Sequence, residues 1–284
     1  MATRREIFHQ LRDIASELYG EEEGRQIAEM IVLAKGAITR NELLIEYDKE
    51  IEIKDIDTIV AQLREWRPVQ YIIGLSSFDD MDLEVGEGVL IPRPETEELV
   101  EWIASEAQQS AKIVDVCTGS GCIAIALRRR LSNSRVWGID ISKEALNIAR
   151  RNAQKFAPSV EFIEGDALGD FSQCVDGKVD VVVSNPPYIP ISHRELMRPN
   201  VTEHEPSIAL FVDDNDPLLF YRSIARTARK MLKSKGKLYF EIYESLAEEM
   251  QTMLRSEGYD EIVVREDFRG KPRMICAKVS STTR

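Results

Sequence analysis

The sequence is 284 residues long, which exceeds a typical single domain of about 100–200 residues and favours two domains. Hydrophobic residues make up 43% of the chain and charged residues 30%, as in an ordinary folded protein. The 49 Asp and Glu residues outnumber the 37 Lys and Arg residues, and the net charge of −12 argues against a broad nucleic-acid surface. We therefore expect no direct sequence-specific contact with nucleic acid, and the acidic surface suits a basic protein partner.

The cysteines and the N-terminus carry information about metal binding and location. The four cysteines form no Cys-x-x-Cys pair and have no histidine at ligand spacing, so we expect no metal site. Their sparse use suits a reducing compartment. The N-terminus is amphipathic rather than apolar, and no run reaches the roughly 18 apolar residues of a membrane helix. We expect a cytoplasmic monomer that does not associate with a membrane.

Residues 1–75 are predicted to form a small helical bundle. Apolar residues recur at helical spacing along residues 7–18, and Thr39 followed by Glu42 is a capping-box pattern. The segment carries ten Lys and Arg residues against fifteen Asp and Glu residues, and none of its residues suggests catalysis. We predict that it is a partner-recognition domain.

The pattern changes after this bundle. Within residues 76–92, apolar residues surround Gly86 and Gly88, which predicts a β-hairpin linker between the two domains; they are Leu83, Val85, Val89, Leu90 and Ile91. Residues 93–284 alternate strands with helices, which predicts an α/β fold with a mostly parallel sheet. We expect strands at 112–116, 135–139, 160–163, 179–183, 237–242, 261–265 and 274–279, and helices at 122–130, 143–154, 218–232 and 245–257.

The first candidate site is the loop after the strand at 112–116. It reads Asp115-Val116-Cys117-Thr118-Gly119-Ser120-Gly121, and its small residues let backbone N–H groups approach a ligand at the carboxyl edge of the sheet. The loop lacks the Gly-Lys-Ser/Thr ending of a P-loop. Gly119-x-Gly121-x-x-Ala124 also matches a dinucleotide fingerprint, so the loop alone does not separate a nicotinamide cofactor from S-adenosylmethionine.

Two carboxylates are placed to complete such a site. Asp140 follows the loop at about the 20-residue distance expected for an acid that accepts the two ribose hydroxyls of either cofactor. Asp166 follows the third predicted strand, where a carboxylate can accept a hydrogen bond from an adenine amino group. Both are candidate cofactor-binding residues.

The second candidate site decides the class of chemistry. The strand at 179–183 leads into Ser184-Asn185-Pro186-Pro187-Tyr188, where two prolines fix a rigid extended backbone. The Asn185 side-chain oxygen and the Pro186 carbonyl can each accept one hydrogen of a substrate –NH2 group, while Tyr188 stacks on the planar group that carries it. Orienting a delocalised lone pair and stabilising its developing charge suits methylation of a planar, amide-type nitrogen. We take Asn185, Pro186 and Tyr188 as catalytic, and these three with Pro187 as substrate-binding.

These motifs, together, resemble a known family. Asn185–Tyr188 and the Asp115–Gly121 loop resemble the class I methyltransferases that modify amide or exocyclic nitrogens. More narrowly, the chain resembles the peptide chain release factor glutamine methyltransferases in three further segments: Arg67-Pro68-Val69-Gln70-Tyr71-Ile72-Ile73-Gly74, Leu90-Ile91-Pro92-Arg93-Pro94-Glu95-Thr96-Glu97 and His204-Glu205-Pro206-x-x-Ala209-Leu210.

The resemblance implies a fold, a reaction and a partner. It implies a Rossmann-like, seven-stranded, mostly parallel sheet and methylation of the glutamine side-chain nitrogen in the Gly-Gly-Gln motif of bacterial release factors 1 and 2. It also implies that the N-terminal bundle helps to dock that partner. The implied donor, S-adenosyl-L-methionine, leaves as S-adenosyl-L-homocysteine and is expected to contact Cys117, Thr118, Gly119, Ser120, Gly121, Asp140, Asp166, Ala167 and Asn185. Cys117 stands where the family usually has glycine.

Arg93, Glu95 and Thr96 precede the first strand of the α/β domain between prolines. We predict that they form a loop that folds over the cofactor or the substrate glutamine and that they bind substrate. A helix start with Glu97 and Glu98 in its first turn is the other interpretation.

Two alternatives remain open from the residues. Methylation of an exocyclic amino group on a nucleic-acid base would use the same Asn185–Tyr188 chemistry, but the net charge of −12 disfavours it. A nicotinamide oxidoreductase rests on Gly119–Ala124 alone and leaves Asn185–Tyr188 without a role.

Overall fold

The computed structural model describes residues 2–280, which form two compact units. One unit contains the residues up to Leu75 together with Arg198–His204, and the other contains Ser76–Met197 and Glu205 onward. Arg198–His204 falls within residues 93–284, the range predicted for the second domain. The segment packs with the first unit because Arg198 pairs with Glu23 at 2.7 Å and the His204 ring contacts the Glu65 carbonyl at 2.7 Å. These contacts join residues far apart in sequence, so no local pattern announced them.

The first unit is helical, as predicted, with a small two-stranded sheet. Its core is formed by apolar faces of the helices, including Leu11, Ile31 and Leu63. The Thr39–Glu42 capping box is present. Its elements are β1 (Ala2–Thr3), α1 (Arg4–Tyr19), α2 (Glu21–Gly36), α3 (Arg40–Ile45), β2 (Glu50–Ile51), α4 (Ile56–Arg64) and α5 (Val69–Ile73), joined later by α9 (Pro199–Thr202).

The second unit alternates strands and helices. It begins with the hairpin β3 (Leu75–Phe78) and β4 (Met81–Glu84), followed by α6 (Pro94–Glu106). The remaining elements are β5 (Lys112–Val116), α7 (Cys122–Arg130), β6 (Arg135–Asp140), α8 (Lys143–Phe156), β7 (Glu161–Glu164), β8 (Val179–Ser184), β9 (Ile189–Pro190), α10 (Ser207–Leu210), β10 (Phe211–Val212), α11 (Leu219–Met231), β11 (Leu232–Glu241), α12 (Ala247–Ser256), β12 (Tyr259–Glu266) and β13 (Pro272–Val279).

Seven of these strands form one sheet in the order β12-β13-β11-β8-β5-β6-β7. β13 runs antiparallel to both of its neighbours, and the other pairs are parallel. Apolar cores cover the two faces of the sheet, which explains the almost continuous apolar runs in β5 and β8. The predicted α/β, Rossmann-like, seven-stranded fold is therefore confirmed. Chain order reverses between β5 and β8, and the crevice at the carboxyl ends of such strands is where open sheets bind ligands.

Two local predictions in the second unit were wrong. The hairpin turns at Asp79 and Asp80, not around Gly86 and Gly88. Both aspartates have positive φ, at 49° and 57°, as a two-residue hairpin turn of type I′ requires. Aspartate tolerates this conformation, so the absence of glycine concealed the turn.

The predicted loop at Arg93–Thr96 is instead the start of α6, with Arg93 as its N-cap residue and Pro94 in the first turn. A proline suits this position because the first N–H groups of a helix have no partner within the helix. None of the helices within residues 2–280 combines the length and apolar character that crossing a membrane requires.

Candidate active site

A deep cleft lies at the carboxyl ends of β5, β6, β7 and β8. It encloses about 910 Å³ of empty space, including its mouth open to solvent. Seven predicted site residues line it: Cys117, Gly119, Asp140, Asp166, Ala167, Asn185 and Pro187. Its remaining walls are largely apolar and were not predicted; they include Val89, Leu90, Ile141, Leu168, Ile208 and Phe220.

The Gly loop, residues Cys117–Gly121, turns sharply from β5 into α7. Gly119 and Gly121 have φ of +53° and +81°, and a Cβ on Gly121 would lie 3.0 Å from the Phe162 ring. At Gly119 an added Cβ would meet nothing within 4 Å, so this side of the loop is open. Cys117 also has positive φ, at 61°, a conformation that costs a residue with a Cβ about 1–2 kcal/mol. Glycine has no Cβ and avoids this cost, so it suits the position.

Other predicted loop residues build the turn rather than line the cleft. The Thr118 hydroxyl is buried and donates to the Asp115 carboxylate at 2.5 Å. Ser120 is also buried, and its carbonyl accepts a hydrogen bond from the Asn152 side chain at 3.0 Å. The Gly121 N–H donates to the Thr118 carbonyl at 2.9 Å. These contacts fix the path of the loop and hence the position of Gly119.

Asp140 ends β6 and faces the cleft. One of its oxygens accepts from the Gly119 N–H and the other from the Ser142 N–H, both at 2.9 Å. The pKa of Asp140 is raised, because burial outweighs these backbone hydrogen bonds, which lower it. Each oxygen retains a further lone pair, so the carboxylate is oriented by the chain and can still accept from a ligand. Asp166 also lines the cleft, and its side chain accepts from the Leu168 N–H at 2.8 Å.

Asp115 lies beneath the Gly loop with 0% of its surface exposed. One carboxylate oxygen accepts from Thr118, and the other has no hydrogen-bond partner. Burial raises the pKa of Asp115 to about 7, and the nearby charge of Asp140 contributes in the same direction. Sequence analysis included Asp115 in the loop motif but gave it no role.

The segment after β8 brings Asn185 to the cleft. Ser184, the last residue of the strand, is fully buried and its hydroxyl donates to the Val116 carbonyl at 2.6 Å, which ties the end of β8 to β5. Asn185 and Pro187 follow as lining residues, and Pro186 between them is buried. The Gly loop and the Asn185 motif, separated by more than sixty residues, therefore share one cleft.

A buried carboxylate behind Asn185 was missed by sequence analysis. Glu241 ends β11 and is 1% exposed. It accepts from the Thr96 hydroxyl at 2.6 Å and from the Tyr188 hydroxyl at 3.0 Å. Thr96 in turn accepts from the Asn185 amide at 3.5 Å. The pKa of Glu241 is raised, because burial outweighs the two hydroxyl donors and the charge of Arg273, which lower it.

Tyr188 is held by these protein contacts. Its ring stacks on Tyr243 with centroids 6.0 Å apart and an interplanar angle of 26°. Its hydroxyl is committed to Glu241, and burial raises the pKa of Tyr188 well above its usual range. Stacking of Tyr188 on a substrate amide stays a prediction.

Arg93 and Glu205 hold one wall of the cleft together. The Glu205 carboxylate is buried and accepts from the Ile91 N–H at 3.0 Å and from the Arg93 guanidinium at 2.5 Å. It thereby joins the segment containing Val89 and Leu90 to the segment that begins with Pro206. Glu95 lies in the first turn of α6, and its charge raises the pKa of Glu241.

No three His, Cys, Asp or Glu side chains within residues 2–280 are grouped as a metal site would require. The cleft instead offers hydrogen-bond acceptors and apolar walls. Such a site can hold a nucleoside-like ligand at Asp140 and present a planar nitrogen to it at Asn185.

Comparison with known proteins shows the family to which the chain belongs. A family model described as a methyltransferase domain matches residues 107–270. A release factor glutamine methyltransferase from Flavobacterium psychrophilum is 39% identical over 91% of this chain and 93% of its own. One from Bacteroides thetaiotaomicron is 41% identical over 79% of this chain and 80% of its own. The chain belongs to the release factor glutamine methyltransferase family.

A solved methyltransferase structure from Pyrococcus furiosus shares the fold at 15% identity, with a TM-score of 0.52 over 79% of this chain and 98% of that one. Membership in the release factor glutamine methyltransferase family makes the chain a methyltransferase. It also decides against the nicotinamide alternative, which left Asn185–Tyr188 without a role.

Glu241 and Glu205 are, like Asp115, buried polar residues of this site that had no role assigned from the sequence. Each had a signal. Glu241 lies within the apolar run Leu238-Tyr239-Phe240-Glu241-Ile242, and a charged residue in a buried strand requires partners. Glu205 belongs to a segment on which the family resemblance was based, but no local pattern shows what it binds.

Proposed function

We propose that this protein transfers a methyl group from S-adenosyl-L-methionine to the side-chain amide nitrogen of the glutamine in the Gly-Gly-Gln motif of release factors 1 and 2. The names of its relatives support this substrate. The observation that carries the proposal is that Asn185 and Pro187 line the same cleft as Gly119 and Asp140. A methyl donor held at Asp140 and an amide held at Asn185 would then meet inside one cleft.

The residues present fit the donor. Asp140 has free lone pairs for two ribose hydroxyls, Gly119 leaves open space beside the backbone, and apolar side chains such as Ile141 and Leu168 suit an adenine ring. Asp166 is a candidate acceptor for the adenine amino group. When bound, the donor supplies an electrophilic methyl carbon on a sulfonium sulfur and leaves as S-adenosyl-L-homocysteine.

The chain supplies orientation to the other reactant. The Asn185 oxygen and the Pro186 carbonyl accept the two N–H hydrogens of the glutamine amide and hold its nitrogen toward the cleft. As the carbon–nitrogen bond forms and the carbon–sulfur bond breaks, the nitrogen becomes more positive and both acceptors bind its hydrogens more strongly. One N–H proton is then lost to solvent, which leaves the N5-methylated amide.

Mass spectrometry of release factor after incubation with enzyme and donor tests this proposal. We expect a mass increase of one methyl group on the Gly-Gly-Gln peptide, located at the glutamine. Nucleic acid incubated in parallel should remain unmodified. Methylation of the nucleic acid alone would support the base-methylating alternative and contradict the proposal.

We also propose that the helical unit recognises the release factor. Glu21 and Glu22 are exposed in the first turn of α2 and contribute to its acidic surface, which suits a basic partner. Reversal of both to lysine should raise KM for whole release factor at low salt and leave turnover of a short Gly-Gly-Gln peptide unchanged. Glu248 and Glu249, equally exposed in the first turn of α12, provide the matched control reversal. Equal effects of the two reversals on KM would refute the assignment.

A further inference from the structure

The orientation of the Asn185 side chain decides whether it can accept a hydrogen bond from the substrate. An amide side chain has an oxygen at one end that accepts and an NH2 group at the other that donates. If the NH2 group faced the substrate nitrogen, two donors would oppose each other. The protein must therefore control which end of the Asn185 amide faces the substrate.

Glu241 provides this control through the hydroxyl of Thr96. A threonine hydroxyl has a single hydrogen, and Thr96 donates it to a Glu241 oxygen. The 2.6 Å contact between Thr96 and Glu241 uses that hydrogen. The Thr96 oxygen can then only accept, so the Asn185 group that contacts it at 3.5 Å is the NH2 group.

We propose that Glu241 is a positioning residue that acts through Thr96 to turn the side-chain oxygen of Asn185 toward the substrate amide. This inference rests on the proposed function, because it assigns the oxygen to the glutamine nitrogen. Glu241 itself touches neither reactant, since it is 1% exposed and both of its oxygens are engaged by the chain.

Further hydrogen bonds hold the Glu241 carboxylate in a fixed orientation. Tyr188 donates to its second oxygen, so the carboxylate fixes residues on both sides of the Pro186-Pro187 segment. The Tyr221 hydroxyl donates to the main-chain carbonyl of the same residue at 3.1 Å and holds the end of β11. The carboxylate therefore has little freedom to rotate away from Thr96.

Two substitutions of Thr96 separate orientation from packing. Thr96→Val keeps the shape of the side chain but removes the acceptor, whereas Thr96→Ser keeps the hydroxyl. With donor and release factor saturating, the single-turnover rate of Thr96→Val should fall about tenfold, the scale of one lost hydrogen bond. Thr96→Ser should restore it to within about threefold, and calorimetry should show unchanged donor affinity in both. Equal rates for Thr96→Val and wild type would overturn the inference.

A double-mutant cycle tests whether Glu241 acts through Thr96. Glu241→Gln makes one end of this side chain a donor and should slow methyl transfer by itself. In the Thr96→Val background it should have little further effect, because the link to Asn185 is already lost. If the rate losses of the two single variants instead multiply in the double variant, the two residues act independently, and the inference is overturned. If Glu241→Gln does not fold, the Thr96→Val and Thr96→Ser comparison still decides.

Glu106→Gln is the matched control. Glu106 also accepts from a tyrosine hydroxyl, that of Tyr239 at 2.7 Å, but it lies at the other end of α6. The Glu106→Gln substitution should leave the single-turnover rate unchanged.

No methyl transfer by the wild type would overturn the proposed function and this inference together. Transfer by the wild type with a fully active Thr96→Val variant would overturn the inference alone.

Discussion

Replacement of Asn185 by alanine tests the central contact of the proposed reaction. The substitution removes the oxygen that accepts from the glutamine nitrogen, a contact that strengthens as positive charge develops. Loss of one preorganised group of this kind costs about 10²–10³ in rate, equivalent to about 2.7–4 kcal/mol. The Asn185 side chain makes one long contact, to Thr96 at 3.5 Å, so the free energy of unfolding should fall by only about 1 kcal/mol or less.

Single-turnover measurements with saturating donor isolate this effect. Donor affinity of Asn185→Ala, measured by calorimetry, should fall less than about tenfold, because the main predicted donor contacts lie at Gly119 and Asp140. Asn147→Ala is the control, since Asn147 is an exposed residue of α8 whose side chain accepts from Arg150 at 3.4 Å. It should change neither rate nor affinity.

Two results would refute the reasoning about Asn185. Full activity of Asn185→Ala would exclude its oxygen from the reaction. A joint loss of stability and donor binding, in proportion to the loss of rate, would mean that Asn185 only braces the loop after β8.

Substitutions at four further positions test the rest of the site. Asp140→Ala should weaken donor binding by about 1.5–3 kcal/mol, and unchanged calorimetric affinity would exclude Asp140 as the ribose acceptor. Tyr188→Phe keeps the ring against Tyr243 and should reduce the methylation rate less than Tyr188→Ala; the reverse order would contradict a role for the ring. Because Cys117 has a φ of 61°, chemical denaturation should show Cys117→Gly to be more stable than Cys117→Val by about 1–2 kcal/mol. The pKa of Asp115 is raised from 3.8 to about 7, so the folded state binds this proton more tightly than the unfolded state. The free energy of unfolding should therefore fall as pH rises through this window, by up to about 4 kcal/mol, and Asp115→Asn should remove that slope in urea titrations.

The fold was predictable because its signals are local. Alternation of apolar strands with amphipathic helices is set by neighbouring residues. It predicted the seven sheet strands and the helices α7, α8, α11 and α12 to within a few residues at most ends, but not α6, β9, α10 or β10. One exception is β11, which begins at Leu232 rather than Lys237 and has an irregular register between these residues. Gly236 and the charged residues there carry no apolar pattern, so the pairing with β8 was not visible.

The candidate site was predictable where a sequence motif fixes the position of a residue at the end of a strand. Gly119 and Asn185 follow directly after buried strands, and parallel strands bring their carboxyl ends to one edge of the sheet. Both residues therefore lie at the same edge of the sheet, and both line the cleft.

The sequence by itself determined the order of the seven sheet strands along the chain, the Gly loop and the rigid turn at Asn185, since each depends on residues that are close along the chain. Only the tertiary structure decided which buried groups pair across the fold. Thr96 and Glu241 are 145 residues apart, and Ile91 and Glu205 are 114 apart. A hydrogen bond of about 3 Å requires both partners to be brought together by packing of the whole sheet, and no local pattern of residue types specifies that.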